Sequence, residues 1–159
     1  MAEIFSTIQA AGGFVMPNLV WSRLSSLQLG RYAEYYSKME FASYGYEVYT
    51  SEVDDHGVDF IAKSPADVFL EIQVKSARSN YVFIPKDKLV LDDRHLVCYL
   101  HFADGTLPEV YIVPAVVWKR PNEVFVSRDY SKPEWGINYS KKNLSILAPY
   151  QAELYFSNH

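Results

Sequence analysis

Three polar residues stand out in an apolar stretch: Asp59 in Gly57-Val58-Asp59-Phe60, and Gln73 and Lys75 in Glu71-Ile72-Gln73-Val74-Lys75. Aspartate is depleted in strands, so its place between Val58 and Phe60 breaks a local rule, and such breaks concentrate at functional sites. Phe69 to Ser76 alternates with period two, with Leu70, Ile72 and Val74 on one face and Glu71, Gln73 and Lys75 on the other. An acid on one strand, followed by oxygen donors and a lysine on the next, is what metal-assisted phosphodiester hydrolysis requires. Oxygen ligands suit a hard divalent cation, and a lysine beside the attacked phosphate offsets the charge that builds there.

Positioning these side chains takes two strands and a turn. Ser64-Pro65-Ala66-Asp67 is a turn signal, which makes Gly57–Lys63 and Val68–Ser76 an antiparallel pair whose side chains converge on one face. Upstream, start signals at Ser25 and Ser26 open a helix through LQLGRYAEYYSKMEFASYG. Its broad stripe takes in Leu27, Leu29, Ala33, Tyr36, Met39, Glu40 and Ala42, and Gly45 suits the position after its end. Glu34 lies mid-helix, where its ordinary role is an ion pair with Lys38 of about 0.3–0.5 kcal/mol.

The remaining elements follow from local pattern. Tyr46–Ser51 reads as a strand, and an acidic loop carrying Asp54, Asp55 and His56 leads to Asp59. A loop histidine beside two acids is either solvated or a proton carrier. Tyr81–Ile84 reads as a short strand, and the segment from Lys86 to Asp93 as a short helix after Pro85. His95–Phe102 and Glu109–Val113 form a hairpin across 103–106. Pro114 opens a helix over Ala115–Lys119, and a last helix covers Gln151–Phe156. Past Pro121 the chain is mixed, punctuated by Pro133, Gly136 and Pro149. A helix, a three-stranded meander, then further strands and helices give an α+β arrangement with a mixed central sheet.

At 159 residues, 49% hydrophobic and 21% charged, the chain is ordinary for one globular domain and unlike a disordered one. No apolar run reaches the roughly 18 residues of a membrane span. The N-terminal stretch has an acid and no basic region, a poor secretory signal. The single Cys98 permits no intrachain disulfide, which fits a reducing cytoplasm, and its apolar run points to a buried, inert thiol. The net charge of −4 does not advertise nucleic acid. Residues 119–142, however, carry six Lys/Arg against three Asp/Glu, with Tyr130, Trp135 and Tyr139 among them. Lys119, Arg120, Lys141 and Lys142 are the candidate phosphate contacts, with scattered solvated charge as the plainer reading. The apolar N-terminal arm (1–27), with Trp21, is either a packed arm or a homodimer contact.

A helix carrying Glu34 in Gly30-Arg31-Tyr32-Ala33-Glu34, then Asp59, then Glu71-Ile72-Gln73-Val74-Lys75, resembles the PD-(D/E)XK nuclease superfamily over residues 28–115. The resemblance implies a restriction-endonuclease-like αβββαβ core over about 28–118, a C-terminal extension over 119–159, a magnesium or manganese ion, and hydrolysis of phosphodiester bonds, most often in DNA. Gln73 stands where the superfamily has an acid, as in the QxK variant of Mrr-type restriction endonucleases. Carried over, Asp59 is the principal metal ligand, Gln73 a neutral oxygen ligand, and Lys75 the residue that orients the attacking water. Glu34 acts through water or by positioning Lys75. Glu71, one same-face step of about 6.6 Å further out, is an outer-shell acid or a second ligand. A superfamily member that has lost its chemistry and serves as a binding or regulatory module is the alternative.

Overall fold

The structure is a computed structural model and describes residues 17–52 and 56–159, so expectations for residues 1–16, Asp54 and Asp55 lie outside the described residues. The first long element is α1 (Ser26–Ser43). Ser25 caps it reciprocally: its hydroxyl accepts from the Gln28 N–H at 3.2 Å, while the Gln28 side chain accepts from the Ser25 N–H at 2.9 Å. This is a capping box, in which both otherwise orphaned donors find acceptors. The helix stops where Gly45 takes φ +85°, a left-handed conformation that glycine adopts without strain. Leu29, Ala33, Ser37 and Phe41 form its buried stripe. Leu27, Met39 and Ala42, expected on that stripe, are exposed. The helix touches the sheet along one narrow ridge, and these three fall outside it.

Five strands form the main sheet: β1 (Glu47–Thr50), β2 (Phe60–Lys63), β3 (Phe69–Ala77), β5 (His95–His101) and β6 (Glu109–Pro114), in the order β1-β2-β3-β5-β6. The β3–β5 pair is parallel and the other pairs antiparallel, so the sheet is mixed. Between β3 and β5 the chain leaves the sheet as β4 (Tyr81–Pro85) and one 3-10 turn (Lys86–Lys88). That turn stands where the sequence suggests a short helix. β4 joins a second, antiparallel sheet, β4-β8-β7, with β7 (Phe125–Arg128) and β8 (Glu134–Asn138). The Ala115–Lys119 segment is likewise 3-10, with Pro114 as its cap. Two short helices, α2 (Leu144–Leu147) and α3 (Ala152–Asn158), close the chain.

The main sheet is covered on both faces. One face carries Phe60, Ala62, Leu70, Ile72, Leu96, Cys98 and Ile112 against α1 and α3, through Phe41, Tyr155 and Phe156. Phe41 is fully buried and meets Tyr46, Phe60 and Phe156 edge-on at 5.0–5.5 Å, a favoured aromatic geometry. The other face carries Val97, Tyr99, Tyr111 and Val113 against Ile84, Trp118, Phe125 and Ile137 of the second layer. Trp118 ties the layers together, its indole N–H donating to the Gly136 carbonyl at 3.1 Å. Trp21 also belongs to the core, 3% exposed, with its N–H on the Thr106 carbonyl. Of the two readings of the N-terminal arm, Trp21 takes the packed one.

Candidate active site

Asp59 sits just ahead of β2, where the ladder runs out. Phe60 pairs with Ile72, and the Asp59 N–H also goes to the Ile72 carbonyl at 2.9 Å. Two residues of one strand against one of the next is bulge geometry, which re-aims a side chain. The strand expected from Gly57 accordingly begins only at Phe60. The Asp59 carboxylate replaces the missing strand partner: its Oδ2 accepts the Val74 N–H at 2.6 Å. That N–H lies between Gln73 and Lys75, so the carboxylate is fixed to the backbone separating them.

Gln73 is 7% exposed, and its buried Oε1 has no hydrogen-bond partner among the described residues. Gly57 explains how the amide comes to lie there. It has φ +81°, and a Cβ at this position would lie 2.9 Å from Gln73 Nε2 and 3.0 Å from the Lys88 carbonyl. Only glycine lets the loop close over this amide. A buried acceptor without a donor costs roughly 1–3 kcal/mol, so its persistence calls for a reason.

The magnesium or manganese ion implied by the resemblance fits this pair. Magnesium keeps several waters and needs few protein oxygens, and the donor set here is an orphaned buried amide oxygen on Gln73 and a carboxylate anchored to the N–H of the next residue, Val74. Among the described residues, no group of three or more His, Cys, Asp or Glu side chains is arranged to hold a metal.

Two grooves meet at Ser26. One, of about 470 Å³, is lined by Arg31, Glu34, Glu52, Val58, Asp59 and Val74. Glu34 thus shares a groove with Asp59, but it is held by Lys38 at 2.9 Å and Arg31 at 3.2 Å. The other groove contains Lys75, Ser76, Arg78, Ser79, Tyr81 and Phe83, and no carboxylate among the described residues. The site therefore has an acidic limb and a cationic limb, with Asp59 and Lys75 bordering different limbs.

Glu71 lies in another cluster. Its Oε2 is 2.8 Å from His95 Nε2, and His95 Nδ1 is 2.7 Å from Asp92 Oδ1. The hydrogen bond from His95, with backbone N–H groups of Arg94 and His95, holds the Asp92 carboxyl below its ordinary range. The sequence reading missed this array, although the Asp92-x-x-His95 spacing at the start of a strand is a local signal. It also missed Arg78, which donates to the Trp21 and Leu24 carbonyls at 2.6 and 2.7 Å.

Lys119, Arg120, Lys141 and Lys142 are all exposed, and none lines either groove at Ser26. Lys142 borders a separate cleft with Asn80, Glu123, Asn138 and Tyr139. His56 is exposed. Burial pushes the Cys98 thiol up to about 12, and it donates to Ser37 Oγ, consistent with an inert core cysteine. No helix among the described residues is long and apolar enough to cross a membrane.

The sequence matches no protein-family model and no curated protein. Solved structures do match. Hjc, a Holliday junction resolvase from the archaeal hyperthermophile Archaeoglobus fulgidus, aligns at TM-score 0.49 and 15% identity over 69% of this chain and 83% of its own. The bacterial homing endonuclease I-Ssp6803I aligns at TM-score 0.53 and 15% identity, over 84% of this chain and 91% of its own. At that identity the second likeness speaks to the fold, and it spans nearly the whole of both chains. The chain, with its mixed sheet, has a restriction-endonuclease-like α+β fold.

Proposed function

We propose that the protein is a divalent-metal-dependent endonuclease that hydrolyses phosphodiester bonds in DNA. The observation that carries this reading is the buried Gln73 oxygen, unpartnered among the described residues, one residue away from the Val74 N–H that anchors the Asp59 carboxylate. A divalent cation is a natural partner for an orphaned buried amide oxygen and for a carboxylate. Asp59 and Gln73 hold the magnesium or manganese ion, which when bound supplies Lewis-acid polarisation of the phosphate and lowers the pKa of a bound water. Lys75 faces the phosphate, orients the attacking water and offsets charge in the transition state. Glu34, shared between Arg31 and Lys38, reaches the groove through water. Glu71 acts at a distance, through His95. Lys119, Arg120, Lys141 and Lys142 contact outlying phosphates of a long substrate.

A second reading, a nuclease-fold module that binds nucleic acid without cutting it, is favoured by two features: the neutral Gln73 and the neutralised Glu34. Incubating the protein with duplex, single-stranded and branched DNA and with RNA, with and without magnesium or manganese, separates the two. Cleavage that needs metal and falls about 100-fold or more in Asp59→Asn and Lys75→Ala supports the enzyme. Tight binding with no cleavage under either metal supports the module.

A further inference from the structure

Beside the candidate active site lies an aromatic ring that the fold leaves uncovered. On β4, Val82 and Ile84 are buried while Phe83 points outward, 54% exposed. The residue opposite it on β8 is Gly136, so no cross-strand side chain covers the ring. Gly136 is committed elsewhere, since the Tyr81 ring lies so close that a Cβ there would collide with it. Tyr81 is in turn held by its hydroxyl on Glu134 at 2.7 Å and by the Arg128 guanidinium over its face at 4.3 Å. Phe83 is thus a free aromatic face on a rigid, immobilised strand.

Its surroundings are cationic. Phe83 lines the groove that holds Lys75 and Arg78, with hydroxyls from Ser26, Ser76, Ser79 and Tyr81 and no carboxylate among the described residues. The Arg78 hydrogen bonds at Trp21 and Leu24 are to neutral carbonyls, which orient the guanidinium, and the Asp104 carboxylate feels its charge. On its other side Phe83 lines a second groove with Lys86, Lys88 and Lys132 against Asp87 and Glu134, Lys86 being paired with Asp129. Backbone-tracking cations on either side of an aromatic face make the arrangement that binds single-stranded nucleic acid, because phosphates follow the charge and a base stacks on the ring. A base inside a duplex offers its faces only to its neighbours, so a flat ring on a sheet reaches it only once it is unpaired.

Building on the nuclease reading, we propose that Phe83 is a stacking platform for one unpaired base of the substrate strand, whose flanking phosphates lie along Lys75 and Arg78 on one side and Lys132 on the other. The substrate class is then nucleic acid that is locally single-stranded near the cut.

The test measures fluorescence anisotropy of labelled single-stranded, forked and fully duplex oligonucleotides, with Asp59→Asn as the non-cleaving background. Phe83→Ala and Phe83→Leu should each lose about tenfold in affinity for the single-stranded and forked probes and leave duplex affinity unchanged, whereas Phe83→Trp retains binding. The exposed position predicts an unaltered thermal midpoint for all three. Wild-type affinity in Phe83→Leu, equal losses on all probes, or no loss in Phe83→Ala would each overturn the platform. If the otherwise native protein still cuts DNA in those cases, the nuclease reading stands without it. A native protein that neither binds nor cuts any probe overturns both.

Discussion

Gly57 and Gln73 constrain each other at the level of single atoms, and Asp59 is fixed to the N–H of the residue after Gln73. Gly57→Ala forces a left-handed conformation on alanine and pushes against Gln73 Nε2 and the Lys88 carbonyl. It should cost roughly 1–3 kcal/mol in urea unfolding and displace the amide, so that manganese binding by calorimetry falls with it. Gln73→Glu should keep or tighten manganese binding and Gln73→Leu should weaken it sharply, since leucine supplies no oxygen. Glu71→Gln should weaken it only modestly, because Glu71 is engaged by His95; if Glu71→Gln abolishes binding while Gln73→Leu does not, the ligand assignment is reversed. Asp59 has two duties that substitution can separate. Asparagine still accepts the Val74 N–H, so Asp59→Asn should unfold near the wild-type midpoint, whereas Asp59→Ala strands that N–H and should cost about 1–3 kcal/mol.

Among the elements, the start of β5 carries a pH-dependent tether. Asp92 binds His95 and two backbone N–H groups, which depresses its pKa below the ordinary 3.8. A depressed carboxylate stabilises the fold above its unfolded pKa, and that contribution disappears as pH falls through the lower native value. Asp92→Ala should therefore be less stable than wild type in urea at pH 7, with the gap narrowing below about pH 4. The elements also differ in how far local sequence announces them. Helix α1 was legible because its start is a capping box and its end a glycine, both local signals. The β1–β3 meander and the β5–β6 hairpin were legible from alternation and turn residues. Strands β7 and β8 were not: they span four and five residues, and Gly136 interrupts the pattern of β8. Nothing local could place β4 in a second sheet, since its partner lies some fifty residues on. The site's residue types were legible, but the offset that seats Asp59 on Val74 depends on a break in a ladder between two strands.

For the molecule as a whole, two hydrophobic clusters share the main sheet as their common wall. Trp118, 1% exposed and bonded across the layers, fastens the second of them. Trp118→Ala should cost about 3–5 kcal/mol, and calorimetry should still record one transition, because β3 and β5 present a face to each cluster. The same arrangement imposes an order on biosynthesis. Among the described residues β4 has its sole ladder partner in β8, so a nascent chain emerging from the ribosome carries β4 with an open edge while the next fifty or so residues are made. During that interval Ile84, fully buried in the finished fold, has no β8 to lie beside. Polypeptides halted before Glu134 therefore display a sticky strand edge, and they are the translation products that a chaperone would be expected to bind.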